Sequence, residues 1–298
     1  MLGPTAAGKS EVALRVAEMT GAEIVSVDSV QVYRGMDIGT AKPSPETRRR
    51  VPHHMIDIVD PVDPFSVAEF QVRGRRAIAD IQHRGSAVLI VGGSGLHFRS
   101  LVDPLDFPPT DPAVREEVER LSPADAVAEL LAADRVAGDL VDLANPRRVV
   151  RAVEILRITG RTPTERASGP RAEAVRAYRP EVDLAAVGMD PGDRLHGRVV
   201  RRLDGMLEAG FLDEVRALRL GPTASTAVGY REMARVVEGA WDLDTARDRA
   251  IDATTALARR QRTYHRRDPR IEWLEWHDDP AVLVTAAVDR LEEAGWTS

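Results

Sequence analysis

The chain of 298 residues contains no cysteine. This absence excludes disulfides, zinc sites built on thiolates and catalytic cysteine nucleophiles, and it fits the reducing cytoplasm. No apolar run is long enough to cross a bilayer, so we expect no contact with a membrane. We also expect no signal peptide, since a phosphate-binding motif occupies the first ten residues. The sequence therefore predicts a cytoplasmic protein.

That motif, MLGPTAAGKS, has the pattern G-x-x-x-x-G-K-S of a phosphate loop. In such a loop successive backbone N–H groups face an anion at a helix N-terminus, the lysine neutralises the terminal phosphates, and the serine hydroxyl can hold Mg²⁺. We expect a diphosphate or triphosphate, with Mg²⁺ on Ser10, to bind here. The predicted phosphate-binding residues are Gly3, Pro4, Thr5, Ala6, Ala7, Gly8, Lys9 and Ser10.

The segments that follow predict an α/β fold with a parallel sheet. A helix over residues 10–21 leads into a buried strand over 22–27, and further strand patterns lie at 86–93, at 183–190 and, as a late edge strand, at 271–276. Ligands bind at the carboxyl edge of a parallel sheet. Asp28, which ends the first of these strands, is therefore expected beside the phosphate loop.

Composition changes after residues 106–112, and from about 113 to 167 the patterns are helical only. We therefore predict a phosphate-loop core formed by residues 1–108 and 176–298, with a helical subdomain inserted at 109–175. Only Met1 and Leu2 precede the loop, where a strand of several residues is usual. As written, this short first strand is expected to weaken the sheet, and the sequence leaves open whether Met1 is the true start.

Positive charge is clustered although the formal net charge is −6. Arginine greatly outnumbers lysine and is concentrated around residues 147–161, 194–202 and 259–270. Arginine suits planar contacts with phosphates and bases. Ordinary solvated helix faces in an arginine-rich chain are the alternative, and the pattern leaves both interpretations open.

Two further absences narrow the phosphate chemistry. No aspartate closes the strand at 86–93, where a hydrolysing enzyme would hold Mg²⁺, and there is no N-K-x-D motif for guanine. A small-molecule kinase with Asp28 as the base stays possible. So do a transferase that expels diphosphate as a leaving group and an RNA-binding module that keeps the loop as a relic.

Several longer stretches resemble tRNA dimethylallyltransferases (tRNA isopentenyltransferases) of the bacterial type, in the same order along the whole chain. The resemblance is carried by SVDSVQVYRGMDIGTAKP at 26–43, PHHMIDI at 52–58, GGSGLHFRSL at 92–101, NPRRVVRAVEI at 145–155, AVGYREM at 227–233 and LARRQRTYHRRDPRIEW at 257–273. It implies an enzyme with a phosphate-loop core and a helical insertion that grips the tRNA anticodon stem-loop. Such an enzyme moves a dimethylallyl group from dimethylallyl diphosphate to the exocyclic amine of the adenosine 3′ of the anticodon, in tRNAs reading codons that begin with U, and releases pyrophosphate. A monomer is expected.

The same resemblance implies roles for individual residues. Asp28 is the base that deprotonates the amine, Ser10 holds Mg²⁺, and Arg198 adds charge near the diphosphate. His97 and Arg147 depart from the family, which usually has Tyr and Gln there, and Tyr264–His265 replaces a more typical Trp–aromatic pair. The implied tRNA contacts are Asp28, Ser29, Val30, Gln31, Ser94, Arg115, Arg147, Arg148, Val149, Val150, Arg151, Arg259, Arg260, Gln261, Thr263 and His265.

Overall fold

The computed structural model describes residues 1–296 and divides the chain into two compact units. One, here called the core unit, consists of Met1–Leu101 and the chain from Asp183 onward. The other, the helical unit, is Val102–Val182. It extends seven residues beyond each end of the insertion expected from the sequence.

Within residues 1–296, the core unit contains five short parallel strands, which confirms the predicted α/β class. They are β1 (Glu23–Val27), β2 (His53–His54), β3 (Val88–Gly92), β4 (Ala186–Gly188) and β5 (Ile271–Trp273). Strand β1 lies between β2 and β3, whereas β4 pairs with β5. All five residues of β1 are buried, as expected for a strand covered on both faces.

Leu2 connects the three-stranded sheet β2–β1–β3 with the pair β4–β5. It forms parallel bridges to Gly92 on one side and Gly188 on the other. Its N–H donates to Val187 (2.9 Å), and its carbonyl accepts from Met189 (2.9 Å). A single, fully buried residue thus occupies the position of the strand that precedes the phosphate loop.

The helices of the core unit come from both of its segments, the one before and the one after the helical unit. They are α1 (Lys9–Thr20), α2 (Pro45–Arg50), α3 (Val67–His83) and α4 (Gly95–Val102), and later α10 (Leu195–Glu208), α11 (Phe211–Ala217), α12 (Tyr230–Val237), α13 (Leu243–His265) and α14 (Pro280–Glu293). Helix α1 packs on β1, β3 and α14 through a cluster of small apolar side chains that includes Val12, Val16 and Ala17. Helices α10 to α13 pack on one another and form a second layer.

The helical unit contains α5 (Pro112–Glu119), α6 (Pro123–Ala133), α7 (Pro146–Thr159), α8 (Pro163–Arg166) and α9 (Pro170–Arg176). Proline at the first helical position and a capping side chain start most of them. Asn145, for example, accepts the N–H of Arg148 at the beginning of α7. Val118, Leu130 and Val153, all fully buried, form the centre of its own small core. Among residues 1–296, no helix is both long and apolar enough to cross a membrane.

Candidate active site at the carboxyl edge of the sheet

The phosphate loop bends tightly between Leu2 and α1. Gly3 has φ +148°, and a Cβ there would lie 2.1 Å from the Met189 carbonyl oxygen, so only glycine fits. Ala6 (φ +62°) and Gly8 (φ +85°) also have left-handed backbone conformations. Backbone turns of this kind form concave anion sites, and α1 begins directly after the loop, where the helix dipole favours an anion.

Lys9 lies buried at the first position of α1. Its Nζ donates to the Pro4 carbonyl (2.7 Å), so the side chain folds back along the loop. Burial, reinforced by the positive charge of Arg202 and opposed by Asp28, lowers the pKa of Lys9 to about 7. A bound diphosphate would supply the missing negative charge and restore full protonation.

Asp28 follows the last residue of β1, at the edge predicted from the sequence. Its Oδ1 accepts the N–H of Val30 (2.8 Å) and of Gln31 (3.3 Å), which fixes the carboxylate at the start of a turn. Gln31 in turn accepts from the Ser26 hydroxyl (2.8 Å) and donates to the Thr40 carbonyl (3.2 Å). The carboxylate is therefore held by the backbone, with neighbours that are themselves hydrogen-bonded.

Two cavities, each of about 300 Å³, meet at Asp28. The phosphate-loop cavity is lined by Lys9 and Ser10, with His53 farther along its wall. The apolar cavity is bounded mainly by side chains of α10 to α13 and includes Ser29, Val30 and Ser94. Six residues line both cavities: Thr5, Asp28, Thr40, Gly93, Arg202 and Gln261. A group bound in either cavity can thus approach the same carboxylate.

Arg198 and Arg202 lie one turn apart on α10 and reach different parts of the site. Arg198 Nε donates to the Ala6 carbonyl (2.7 Å), and its guanidinium lies 5.0 Å from the centre of the Trp276 ring. Arg198 therefore stabilises the phosphate loop at Ala6. Arg202 lines both cavities and contacts the Thr40 carbonyl (3.4 Å). Burial lowers the pKa of Arg202, and Asp28 counteracts the shift. Arg198 was expected at the site from the sequence and Arg202 was not, although the four-residue spacing places both on one helix face.

Helix α13 brings two of the expected tRNA-contacting residues to the cavities of the site. Gln261 Oε1 accepts the N–H of Thr5 in the phosphate loop (2.7 Å), and Arg260 lines the apolar cavity. Arg259 and Thr263 are exposed on the same helix. His265 is buried and pairs through Nε2 with the Gly93 carbonyl (3.0 Å). Its imidazole is therefore occupied within the protein, and its expected contact with tRNA stays a prediction.

Ser94 lies between β3 and α4 and lines the apolar cavity. Its hydroxyl is 2.6 Å from His97 Nδ1, and the imidazole packs edge-on against Phe70 at 4.5 Å. Burial lowers the pKa of His97 to about 4, with Asp28 opposing the shift. His97 is therefore neutral at pH 7 and supports Ser94.

The helical unit has its own cavity of about 350 Å³, lined in part by Arg115, Arg147 and Val150. Arg147 and Arg148 are exposed, and Arg148 lies 3.7 Å from Asp142. Arg115 is also exposed and pairs with Glu119 (3.1 Å).

Two other residues of α7 that were expected to contact tRNA are engaged within the helical unit. The side chain of Val149 is only 2% exposed and belongs to the core of the helical unit. Arg151 binds the carbonyls of Pro108 and Pro109 and the buried Glu154 carboxylate (2.7 Å). Both side chains thus make contacts within the unit, and their expected contacts with tRNA stay predictions.

No group of three or more His, Cys, Asp or Glu within residues 1–296 is arranged to hold a metal ion. His54 binds Glu23 (2.6 Å), and His53 binds the Val51 carbonyl (2.7 Å). The side chains with oxygen atoms that line the phosphate-loop cavity include the Ser10 hydroxyl and the Asp28 carboxylate. A cation there would need oxygens from the bound phosphates as well.

The phosphate loop at the carboxyl edge of a parallel sheet, with a second cavity beside it, defines a phosphate-loop α/β protein in which two cavities share one carboxylate. Residues 31–268 match the sequence profile of the IPP transferase family, and the chain belongs to that family.

Similar proteins agree with this membership. The chain is 45% identical to a tRNA dimethylallyltransferase of Streptomyces coelicolor, over 92% of this chain and 88% of that protein. It is 44% identical to one of Acidothermus cellulolyticus, over 99% of this chain and 93% of that protein. The crystal structure of a tRNA isopentenylpyrophosphate transferase from Bacillus halodurans superposes with a TM-score of 0.68 at 32% identity, covering 99% and 96% of the two chains. A eukaryotic dimethylallyltransferase acting on tRNA shares the fold, with a TM-score of 0.80 at 22% identity, covering 99% and 78%.

Proposed function

We propose that this protein transfers a dimethylallyl group from dimethylallyl diphosphate to tRNA and releases pyrophosphate. The observation that carries the proposal is the position of Asp28, where the phosphate-loop cavity and the apolar cavity meet. The names and identities of the similar proteins support the same reaction. The acceptor is the exocyclic amine of the adenosine 3′ of the anticodon, in tRNAs reading codons that begin with U. A tRNA acceptor places the reaction in the cytoplasm.

The diphosphate binds to the loop from Gly3 to Ser10. Loop N–H groups, Lys9 and Arg202 stabilise the charge that grows on the diphosphate as the bond between its oxygen and the allylic carbon breaks. The bonding electrons stay on the diphosphate oxygen. Arg198 contributes indirectly, because it braces the loop at Ala6.

The adenine amine attacks the allylic carbon and forms the new carbon–nitrogen bond. Its lone pair is delocalised into the ring, so the nitrogen becomes nucleophilic only as a base removes its proton. Asp28 takes that proton. Because the Oδ1 atom of Asp28 is held by two backbone N–H groups, the carboxylate keeps its orientation while the two ligands change.

Mg²⁺ fits the oxygen donors of the phosphate-loop cavity. This ion usually keeps several waters and binds one or two protein oxygens together with substrate phosphates. Ser10 would hold it, with Asp28 nearby, and the ion would neutralise part of the diphosphate charge.

The tRNA contacts are proposed to come from both units. Exposed arginines suit phosphates and unstacked bases, and the target base must leave the stack of the anticodon loop before its amine can react. In the core unit Arg259, Arg260 and Thr263 contact the RNA beside Ser29, Val30 and Gln31. The helical unit grips the anticodon stem-loop through Arg115, Arg147 and Arg148. The enzyme acts as a monomer.

The test combines the purified protein, Mg²⁺, an unmodified anticodon stem-loop RNA and radiolabelled dimethylallyl diphosphate. We expect label to move to the RNA without ATP, and not to a matched RNA carrying guanosine at the target position. Asp28→Asn should lower transfer at least a hundredfold and leave RNA affinity within about twofold. A folded, RNA-binding protein that transfers no label would contradict the proposal, and phosphate transfer from ATP would favour a kinase.

A further inference from the structure

Glu214, on α11, binds a backbone turn that lies far away in sequence. Its Oε2 accepts the N–H of Asp37 (2.9 Å) and of Ile38 (2.6 Å), and its Oε1 accepts the N–H of Gly39 (3.2 Å). The Tyr230 hydroxyl donates to the same Oε1 (2.6 Å). A single carboxylate thus satisfies three consecutive N–H groups and one phenol, which only an acceptor with several lone pairs can do.

Aromatic rings hold the same turn from another side. Phe211 and the fully buried Tyr230 pack edge to face at 4.9 Å. A Cβ at Gly39 would lie 2.2 Å from the Phe211 ring and 2.7 Å from the Tyr230 ring. The turn can approach this closely only because residue 39 is glycine, so its position is determined by both hydrogen bonds and packing.

The turn ends at Thr40, which lines both cavities of the site. Its carbonyl accepts from Gln31 Nε2 (3.2 Å) and from Arg202 (3.4 Å). The Thr40 hydroxyl donates to the Met36 carbonyl (2.6 Å), which closes the turn on itself. Two side chains beside Asp28 therefore donate to one carbonyl oxygen.

We propose that Glu214, with Tyr230, is a positioning residue for the transfer reaction, because it fixes the Asp37–Thr40 turn whose carbonyl orients Arg202 and Gln31 beside Asp28. This inference rests on the proposed function, in which Arg202 stabilises the leaving diphosphate. Glu214 makes its hydrogen bonds to the turn and to Tyr230, and it acts on the reaction through them.

The first test is Glu214→Gln. A carboxamide nitrogen cannot accept an N–H, so at least one bond to the turn is lost. We expect kcat to fall tenfold or more, while KM for the RNA stays within twofold. Asp213→Asn is the matched control: its carboxylate is 78% exposed, binds Arg216 and should leave kcat unchanged. A Glu214→Gln protein that is folded by circular dichroism and keeps full kcat would overturn the inference.

A double-mutant cycle with Arg202→Ala tests the route. If Glu214 acts through Arg202, Glu214→Gln should lower kcat less than twofold once Arg202 is absent. If Glu214 only stabilises the fold, the two substitutions should lower kcat independently, so that their fold-losses multiply. The melting temperature should then fall together with kcat. Should Glu214→Gln fail to fold, Tyr230→Phe keeps the ring packing and removes one hydrogen bond. We expect it to lower kcat two- to fivefold, and an unchanged kcat would count against the inference.

Pyrophosphate binding, measured by calorimetry, separates this inference from the proposed function. We expect Glu214→Gln and Arg202→Ala each to weaken pyrophosphate binding several-fold, with no further loss in the double variant. If the wild-type protein transfers no label yet shows this pattern, the proposed function fails and the positioning role stands. If it transfers label and the losses in binding are additive or absent, the positioning role fails alone.

Discussion

Helices α7 and α10 both have 14 residues and are both rich in arginine, yet they use that charge in opposite ways. In α10 the guanidinium groups of Arg198 and Arg202 turn toward the phosphate loop. In α7, Arg147 and Arg148 face solvent. The two helices differ in what they pack against, since α10 lies beside a cavity edge and α7 covers a small apolar core of its own.

The comparison shows that the role of an arginine cluster cannot be inferred until the groups around it are known. Arg202 is partly buried near another cation, Lys9, and close to Asp28, so a bound anion would relieve the repulsion. An exposed arginine in α7 is screened by water and salt and contributes mainly to long-range attraction.

The largest expected effect is that of Arg202→Ala in α10. Removing a preorganised donor from a site where charge develops lowers kcat by about a hundred- to a thousandfold. Arg202→Lys should restore little of the rate, because the compact ammonium lacks the planar fork of the guanidinium. The measurement is single-turnover transfer at saturating RNA. Arg201→Ala, on the exposed face of the same turn, is the control and should keep the wild-type rate.

Much of this site was predictable from local patterns. The phosphate loop has a defined spacing, and parallel strands bring Asp28 to the same edge by topology alone. The strands at 183–190 and 271–276 were also predicted, and β4 and β5 confirm them. Each of these features is determined by a short stretch of sequence, so it could be predicted without knowing which distant residues are in contact.

The rest depends on contacts between distant residues. Arg202, and not Arg198, lines the cavities because of the way α10 packs against the rest of the core unit. The spacing of the arginines within α10 does not determine that packing. Glu214 meets the 37–39 turn across more than 170 residues. His265 lies within an arginine-rich segment that suggests an exposed helix, yet α13 buries that one face against Gly93. Sequence patterns describe a helix face, and only the packed fold shows what that face meets.

The second prediction concerns Arg151, the arginine of α7 that behaves least like its exposed neighbours. Arg151→Ala would leave the fully buried Glu154 carboxylate without its cation and remove the guanidinium from two carbonyls. We expect the free energy of unfolding of the helical unit to fall by about 2 to 3 kcal/mol. Hydrogen exchange of the α7 amides is the measurement.

Arg157→Ala is the control for this prediction. Arg157 pairs with Glu129 at 2.6 Å, but both side chains are about a third exposed. That loss should stay below about 1 kcal/mol. Equal losses in the two variants would mean that burial of Glu154 does not decide the outcome.

The third prediction is a pH dependence of Lys9, whose pKa is lowered chiefly by burial and further by Arg202 of α10. The pKa of Lys9 is lowered to about 7, and only the protonated amine attracts an anion. The contribution of Lys9 to pyrophosphate affinity should thus be nearly independent of pH below pH 7 and fall up to about tenfold per pH unit above it. Pyrophosphate itself titrates, so the quantity to plot is the ratio of wild-type to Lys9→Arg affinity, measured by calorimetry.

Arg202→Ala sharpens this third test. Arg202 is one of the groups that lower the pKa of Lys9, so its removal should move the inflection to higher pH. An inflection that does not move would show that Arg202 and Lys9 do not share one electrostatic environment, which is the feature that distinguishes α10 from α7.

The smallest expected effect is that of Arg147→Ala and Arg148→Ala on the exposed face of α7. If these side chains contact RNA phosphates, each substitution should weaken stem-loop binding a few-fold. The slope of log K against log salt concentration should become shallower by about one, and kcat at saturating RNA should not change. The measurement is a salt titration of RNA affinity by fluorescence anisotropy. Arg179→Ala, a salt-bridged arginine elsewhere on the helical unit, is the control. Unaltered slopes in all three variants would mean that α7 is an ordinary solvated face. The contrast with α10 would then be one between a functional and a purely structural helix.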